Sequence, residues 1–218
     1  MISIWYYFEM RIIKISKTKI REVINEAVRT IEEGGIVAFP TETFYGLGVK
    51  YNDTSALRRL YEIKHRPMEK AMPLIIGDKK TLVLISHSIS IVAEKLIERF
   101  WPGPLTLLIN ARKDLPEFIT AGTGKAAVRV PGESFALEFA RQLEFPVTAT
   151  SANISGKPPA DNPEDVIRYF GDRVDLIIDG GITPGGKPST IVDVTGKEIK
   201  ILRPGAVPSE EIFSQDNS

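Results

Sequence analysis

The 218-residue chain contains no cysteine and only two histidines, His65 and His87. Without a thiol there can be no disulfide, thiolate metal site or cysteine nucleophile. Two imidazoles are too few for a histidine-rich metal centre. His65 stands among basic residues and His87 at an expected helix start, positions that suit surface or capping groups. Net charge is missing too, because lysine plus arginine equals aspartate plus glutamate at 28 each. A non-specific nucleic-acid binder gains affinity by neutralising phosphates and usually carries a basic excess, so that class is disfavoured, although a local basic groove is still allowed. No run of roughly 18 apolar residues occurs, so no transmembrane helix and no membrane partner is expected. The apolar opening, residues 1–8, lacks the basic start and small-residue cleavage site of a signal peptide. The cytoplasm is therefore the expected compartment.

What is present divides into ordinary elements and unusual polar segments. Ile20, Val23, Ile24, Ala27, Val28 and Ile31 recur at helical spacing and Gly34-Gly35 stops them, which predicts a helix over 18–33. Further helices are expected over 54–64, 89–100, 135–143 and 162–170. The last has Asn162 as cap, Pro163 in the first turn and two acids near the positive end of the dipole. Strands are expected over 11–15, 36–39, 73–76, 105–109, 126–130, 146–149, 176–178, 190–194 and 199–202, with 82–85 either a strand or a helix start. Thr195-Gly196-Lys197 is a hairpin signal between the final two strands. Strands and helices alternate without strict βαβ order, which argues for one α/β domain around a mixed, twisted sheet. Residues 10–210 form that domain. Met10, just before the first strand, is the expected start, with residues 1–9 an upstream extension or disordered arm and 211–218 a frayed tail.

The most informative segment is Pro40-Thr41-Glu42-Thr43-Phe44-Tyr45-Gly46-Leu47-Gly48, directly after the apolar run Ile36-Val37-Ala38-Phe39. It is either a tight strand-to-helix connection or a binding loop at a strand's carboxyl end, where ligands of open α/β sheets sit. Three more polar segments end predicted elements: Lys64-His65-Arg66-Pro67, residues 148–153, and Lys187-Pro188-Ser189-Thr190. Arg129 and Arg203 end strands. Guanidinium forks, ammonium groups, hydroxyls and glycine-rich backbone together suit a polyphosphate or carboxylate. The plain alternative for Lys64, His65 and Arg66 is a solvated helix end that complements the dipole. Gly122-Thr123-Gly124-Lys125 and Gly185-Gly186-Lys187-Pro188-Ser189-Thr190 lack P-loop spacing, and Pro188 cannot open the required helix. Ser151 has no histidine placed to activate it, so it reads as a ligand hydroxyl rather than a nucleophile.

Taken in order, the Thr41 loop, Lys64-His65-Arg66-Pro67, Trp101-Pro102-Gly103-Pro104-Leu105-Thr106, Ala127-Val128-Arg129-Val130-Pro131, Thr150-Ser151-Ala152-Asn153, Ser189-Thr190-Ile191 and Leu202-Arg203-Pro204-Gly205 resemble the YrdC-like threonylcarbamoyl-AMP synthases. The resemblance is to the short form that holds the catalytic domain alone. It implies a twisted open mixed sheet with flanking helices and a concave, positive face. It also implies an enzyme, a nucleotidyltransferase, that condenses L-threonine, bicarbonate and ATP into L-threonylcarbamoyladenylate and pyrophosphate. The product would serve N6-threonylcarbamoyladenosine formation at tRNA position 37 through a downstream tRNA threonylcarbamoyl transferase complex. The resemblance assigns Lys64 and Arg66 to catalysis and ATP phosphates, and Thr41, Arg129, Ala149 and Ser189 to L-threonine. It assigns Thr148, Ser151, Asn153 and Arg203 to ATP. Mg²⁺ would arrive with ATP, held by phosphates and water and by no assigned protein ligand. The rival reading is a double-stranded RNA or tRNA-binding module without turnover, and weak RNA contact is left open in either case. A carbamoyl-transfer module like that of hydrogenase-maturation proteins is a second rival; the absence of cysteine-rich elements argues against it.

Overall fold

The structure, a computed structural model, describes residues 10–16 and 18–214. The expectations for residues 1–9 and for 215–218 lie outside the described residues. β1 (Arg11–Lys14) leads into α1 (Ile20–Glu32), and β2 (Val37–Pro40) turns back antiparallel as β3 (Tyr45–Gly48). α2 (Thr54–Lys64) starts where the Asp53 carboxylate accepts the Ala56 N–H at 2.9 Å. β4 (Leu74–Ile75), a 3₁₀ turn over Lys79–Leu84, α3 (Ile91–Phe100) and β5 (Leu105–Asn110) follow. Then come α4 (Glu117–Thr120), β6 (Lys125–Arg129), α5 (Phe135–Gln142), β7 (Val147–Thr148) and β8 (Thr150–Ser151). The described chain closes with α6 (Pro163–Phe170), β9 (Leu176–Asp179), β10 (Thr190–Asp193), β11 (Lys200–Arg203) and α7 (Ser209–Phe213).

The mixed α/β class is as expected, but the strands divide between two mixed sheets, ordered β1-β9-β2-β3-β8 and β11-β10-β5-β6-β4-β7. They meet at the β7–β8 step, where the Thr148 N–H bonds Val49 O and the next strand pairs with β3. Strand alternation distributes the core. Val37, Phe39, Leu176 and Ile178 pack against α1 and α5, whereas Ala38, Leu47 and Ile177 join the larger core shared with β5 and β6. Burial on both faces explains why these strands read as unbroken apolar runs.

Several expectations change. The Thr41 loop connects two strands of a hairpin, not a strand to a helix. β3 is hard to see in the sequence because Gly46 and Gly48 interrupt its pattern. A Cβ at Gly48 would stand 2.8 Å from Phe39 Cε1 and 3.0 Å from Thr148 O, so the missing side chain is what lets the hairpin close on Phe39. Thr150 and Ser151 are strand residues, and 82–85 belongs mostly to the 3₁₀ turn. Ser90, not His87, caps α3 through the Ala93 N–H at 3.2 Å. Residues 211–213 are not frayed: they end α7, whose Ile212 is fully buried. No described helix is long and apolar enough to cross a membrane.

Candidate active site

The carboxyl end of β2, the end of β6, the β7–β8 step and the start of β10 converge on one cavity of about 290 Å³. Thr41, Arg66, Arg129, Ala149, Ser151, Ser189 and Arg203 all line it. These residues come from sequence positions as distant as 41 and 203, and the sheet orders bring them together. A larger depression of about 520 Å³ between α1 and α5, bordered by Arg21, Asn25, Glu138 and Gln142, includes none of the candidate residues.

On the β2–β3 side, the Thr41 hydroxyl donates to Phe44 O at 2.7 Å and accepts the Thr43 N–H at 3.1 Å. This side-chain turn holds the loop tight with its hydroxyls beside the cavity. Glu42, one residue on, accepts a hydrogen bond from Arg129 Nη1. Its second oxygen, Oε2, is buried and has no partner among the described residues. The pair bridges the two sheets, since Arg129 ends β6 and Thr41 follows β2.

On the α2 side, the helix ends in left-handed His65, which is exposed, with φ 49°. The chain reverses there and Arg66 returns over the cavity. Its Nε donates to Lys70 O at 2.9 Å and its Nη2 to Ala71 O at 2.6 Å. Burial pushes the Arg66 guanidinium below its ordinary range. Lys70 thus contributes its carbonyl. Lys64 differs from the expectation. It is 1% exposed, stands behind the cavity wall, and its ammonium donates to Ser151 O and, at 2.7 Å, to Asn153 O. Burial first, and the Arg66 charge second, push Lys64 down to about 7. Lys64 is therefore no solvated helix end; Arg66 is half-buried over the cavity, and His65 is exposed.

The nucleotide candidates separate in the same way. Ser151 faces the cavity, and its hydroxyl donates to Asn153 Oδ1 at 2.6 Å. Asn153 is 8% exposed and its amide donates to Lys157 O, so it braces the loop from behind. Thr148 is fully buried, and its hydroxyl oxygen accepts the Val49 N–H at 3.0 Å. These two and Lys64 are therefore framework to the wall. At the far end, Arg203 Nη2 donates to Ser189 O at 2.7 Å and to Ser189 Oγ at 3.1 Å. Burial and then Arg129 lower the Arg203 guanidinium from its ordinary range, which records two cations at one mouth. A Cβ at Gly205 would lie 2.3 Å from Pro188 O, so glycine lets the segment after β11 press against the Ser189 strand.

Sequence reasoning assigns no role to Glu42, Thr106 or Phe44. Glu42 and Phe44 stand inside the Thr41 loop, and Thr106 ends the Trp101–Thr106 block. Thr106 lies 2.8 Å from Ser189, oxygen to oxygen. The signal lies in strand alternation, but which face of β5 meets β10 is a matter of register.

This wall offers three guanidinium groups and several short hydroxyls, and no carboxylate lines it among the described residues. It can hold an anion, or bring two anions together, by charge-assisted hydrogen bonds. The Sua5/YciO/YrdC family model, described as "Telomere recombination", matches residues 29–205. The threonylcarbamoyl-AMP synthase of Pyrococcus abyssi is 42% identical over 198 residues, 88% of this chain and 58% of that protein. The Bacillus subtilis threonylcarbamoyl-AMP synthase is 37% identical over 190 residues, 87% of this chain and 55% of that one. The crystal structure of P. abyssi Sua5 complexed with L-threonine superposes with a TM-score of 0.84 at 40% identity, covering 94% of this chain and 60% of that chain. The chain thus spans little more than half the length of these relatives, with the whole cavity inside the matched region. It belongs to the Sua5/YciO/YrdC family.

Proposed function

We propose that the chain is an L-threonylcarbamoyladenylate synthase, joining L-threonine, bicarbonate and ATP and releasing pyrophosphate. The observation that carries this reading is the convergence of Arg66, Arg129 and Arg203 with Ser151 and Ser189 on one cavity. Two negatively charged reactants must approach there. The amine nitrogen of threonine bonds to the bicarbonate carbon with loss of water, giving an N-carboxylate. One oxygen of that group then attacks the α-phosphorus of ATP as the bond to the pyrophosphate oxygen breaks. No protein nucleophile is needed, and the task is alignment and electrostatic stabilisation.

Arg129 and Ser189 hold the carboxylate or carbamate end of threonine, with Thr41 and Ala149 along its side. Arg66 and Arg203 face the phosphates, and Ser151 contacts the nucleotide. Lys64 and Asn153 act through the Ser151 loop they brace, and Thr148 through the strand beneath. Mg²⁺ enters with ATP and neutralises phosphate charge. The wall has no carboxylate to spare, and among the described residues no group of three or more His, Asp or Glu could hold a metal ion. In this reading the ion would be held by phosphates and water.

In this reading the product passes to a tRNA threonylcarbamoyl transferase complex for modification of adenosine 37, a cytoplasmic reaction. Incubation with the three substrates should yield the adenylate by mass spectrometry, with pyrophosphate release dependent on L-threonine. A tight, salt-sensitive complex with tRNA or double-stranded RNA and no adenylate would instead establish the binding module.

A further inference from the structure

Among the described residues, two aromatic side chains line the cavity, Phe44 and Tyr45. Tyr45 is fully buried in the larger core, and its hydroxyl donates to Gly181 O at 2.9 Å. Phe44 differs. It is the one half-buried aromatic among the described residues that packs against neither core, and it pairs with no other described ring. A phenyl ring carries a large apolar area, and here much of it is left for a ligand to cover. The backbone beneath the ring is held from two sides. The Thr41 hydroxyl donates to Phe44 O at 2.7 Å, and the Gly185 N–H donates to Thr43 O at 2.7 Å. Gly185, at φ 70°, has no side chain to cover the ring edge, since a Cβ there would stand 3.8 Å from Phe44 Cε1. Gly46, two residues on, pairs with Ser151, and both line the cavity, so the ring and the Ser151 hydroxyl share one stretch of wall.

We propose that Phe44 is the platform for the nucleotide base, its ring stacking on the adenine of ATP while the guanidinium groups take the phosphates. The inference rests on the function proposed for the chain, in which Ser151 contacts the nucleotide. Charged and hydroxyl groups elsewhere in the wall suit phosphate, sugar and carboxylate, whereas a flat apolar ring suits a flat base. Every base has a π face, so the ring adds affinity without reading the base edge.

The test is calorimetric titration of the full chain with ATP and Mg²⁺ and with L-threonine, using Phe44→Ala and Phe44→Trp. Phe44→Ala should weaken ATP about tenfold and leave L-threonine within about twofold, as expected for the loss of one base–aromatic stack. Its urea midpoint should stay near wild type, because the ring packs against neither core. Phe44→Trp keeps a stacking face and should bind ATP within about threefold of wild type. Its indole emission should be quenched by ATP beyond any change in wild type, but not by L-threonine or inorganic tripolyphosphate, neither of which carries a base. Unchanged ATP affinity in Phe44→Ala, an equal weakening of L-threonine, or no added quench by ATP in Phe44→Trp would each overturn the assignment. A quench by L-threonine alone would overturn it too, by placing the ring at the amino-acid end. Should Phe44→Ala fail to fold, the Phe44→Trp emission still decides. Adenylate formation by wild type, followed in parallel, separates the two claims. A wild type that shows this binding pattern but makes no adenylate removes the reaction and keeps the role of Phe44. One that makes adenylate while Phe44→Ala binds ATP unchanged removes the role and keeps the reaction. A wild type that binds no ATP removes both.

Discussion

At one flank of the cavity Arg129 is paired with the Glu42 carboxylate, whereas at the other Arg66, and Lys64 in the wall behind it, donate to backbone carbonyls and have no carboxylate partner. The first flank carries its own counter-ion, and a ligand carboxylate arriving there must share Arg129 with Glu42. The second flank offers dipoles instead of charge, and burial lowers both cations from their ordinary ranges. At Arg66 an incoming anion therefore meets no competing carboxylate. The difference separates a cation that carries its own counter-ion from cations held on backbone dipoles alone.

Removing the uncompensated cation should give the largest effect. Arg66→Ala should cost about 1.5–3 kcal/mol of transition-state stabilisation, roughly a ten- to hundredfold loss in pyrophosphate release, with the melting temperature little changed. A wild-type rate would show that the second flank is not where phosphate is held. The frame that joins the flanks is next. Gly48→Ala forces a methyl against the Phe39 ring and Thr148 O, and should destabilise by about 1–3 kcal/mol in urea unfolding. Stability unaltered there would mean that the hairpin yields freely.

Lys64 gives the comparison a pH signature. Its folded value of about 7 lies below the ordinary lysine value of 10.5, so between those pH values the unfolded chain binds more protons at this site. The stability contribution is therefore present near pH 10.5 and is lost as pH falls to about 7, with a slope of up to about 1.4 kcal/mol per pH unit. Urea midpoints across that range should rise with pH in wild type, and Lys64→Met should flatten the slope. An equal slope in both would remove Lys64 as its source. The smallest effect is expected at the compensated flank. Glu42→Gln keeps a hydrogen bond to Arg129 but removes the competing charge, and should tighten L-threonine binding by roughly two- to fivefold in calorimetry, under about 1 kcal/mol. Weaker binding would show that Glu42 aligns Arg129 more than it neutralises it.

Much of the fold is legible in the amino-acid sequence. The helix over Thr54–Lys64 has the bounds its pattern predicts, because Asp53 caps it and its apolar residues keep helical spacing. The Asn162 cap with Pro163 in the first turn also forms as its residues predict, and Asn162 Oδ1 accepts the Asp165 N–H at 2.8 Å. β3 and β8 escape such a reading because glycine and hydroxyl residues carry no strand signal of their own; they pair with each other, and β3 with β2, where distant segments meet. Short α4 and α7 have too few turns to display a period. Of the candidate residues, Arg66, Arg129, Ser151, Ser189 and Arg203 stand out by type and position, and they do share one wall. Lys64 stands out equally but does not reach the cavity, since nothing local reveals that its ammonium is buried on carbonyls 87 and 89 residues away.

Local chemistry alone was enough to specify where helices begin and stop, which runs must be buried, and which side chains can hold an anion, because capping, periodicity and charge act over a few residues. Pairing of distant strands decided the rest. Register places Thr106 against the Ser189 segment, and the packing of distant segments brings Glu42 to Arg129 and turns Lys64 into the wall rather than the cavity. Such choices depend on the free energy of the whole packed core, to which no single stretch of chain has access.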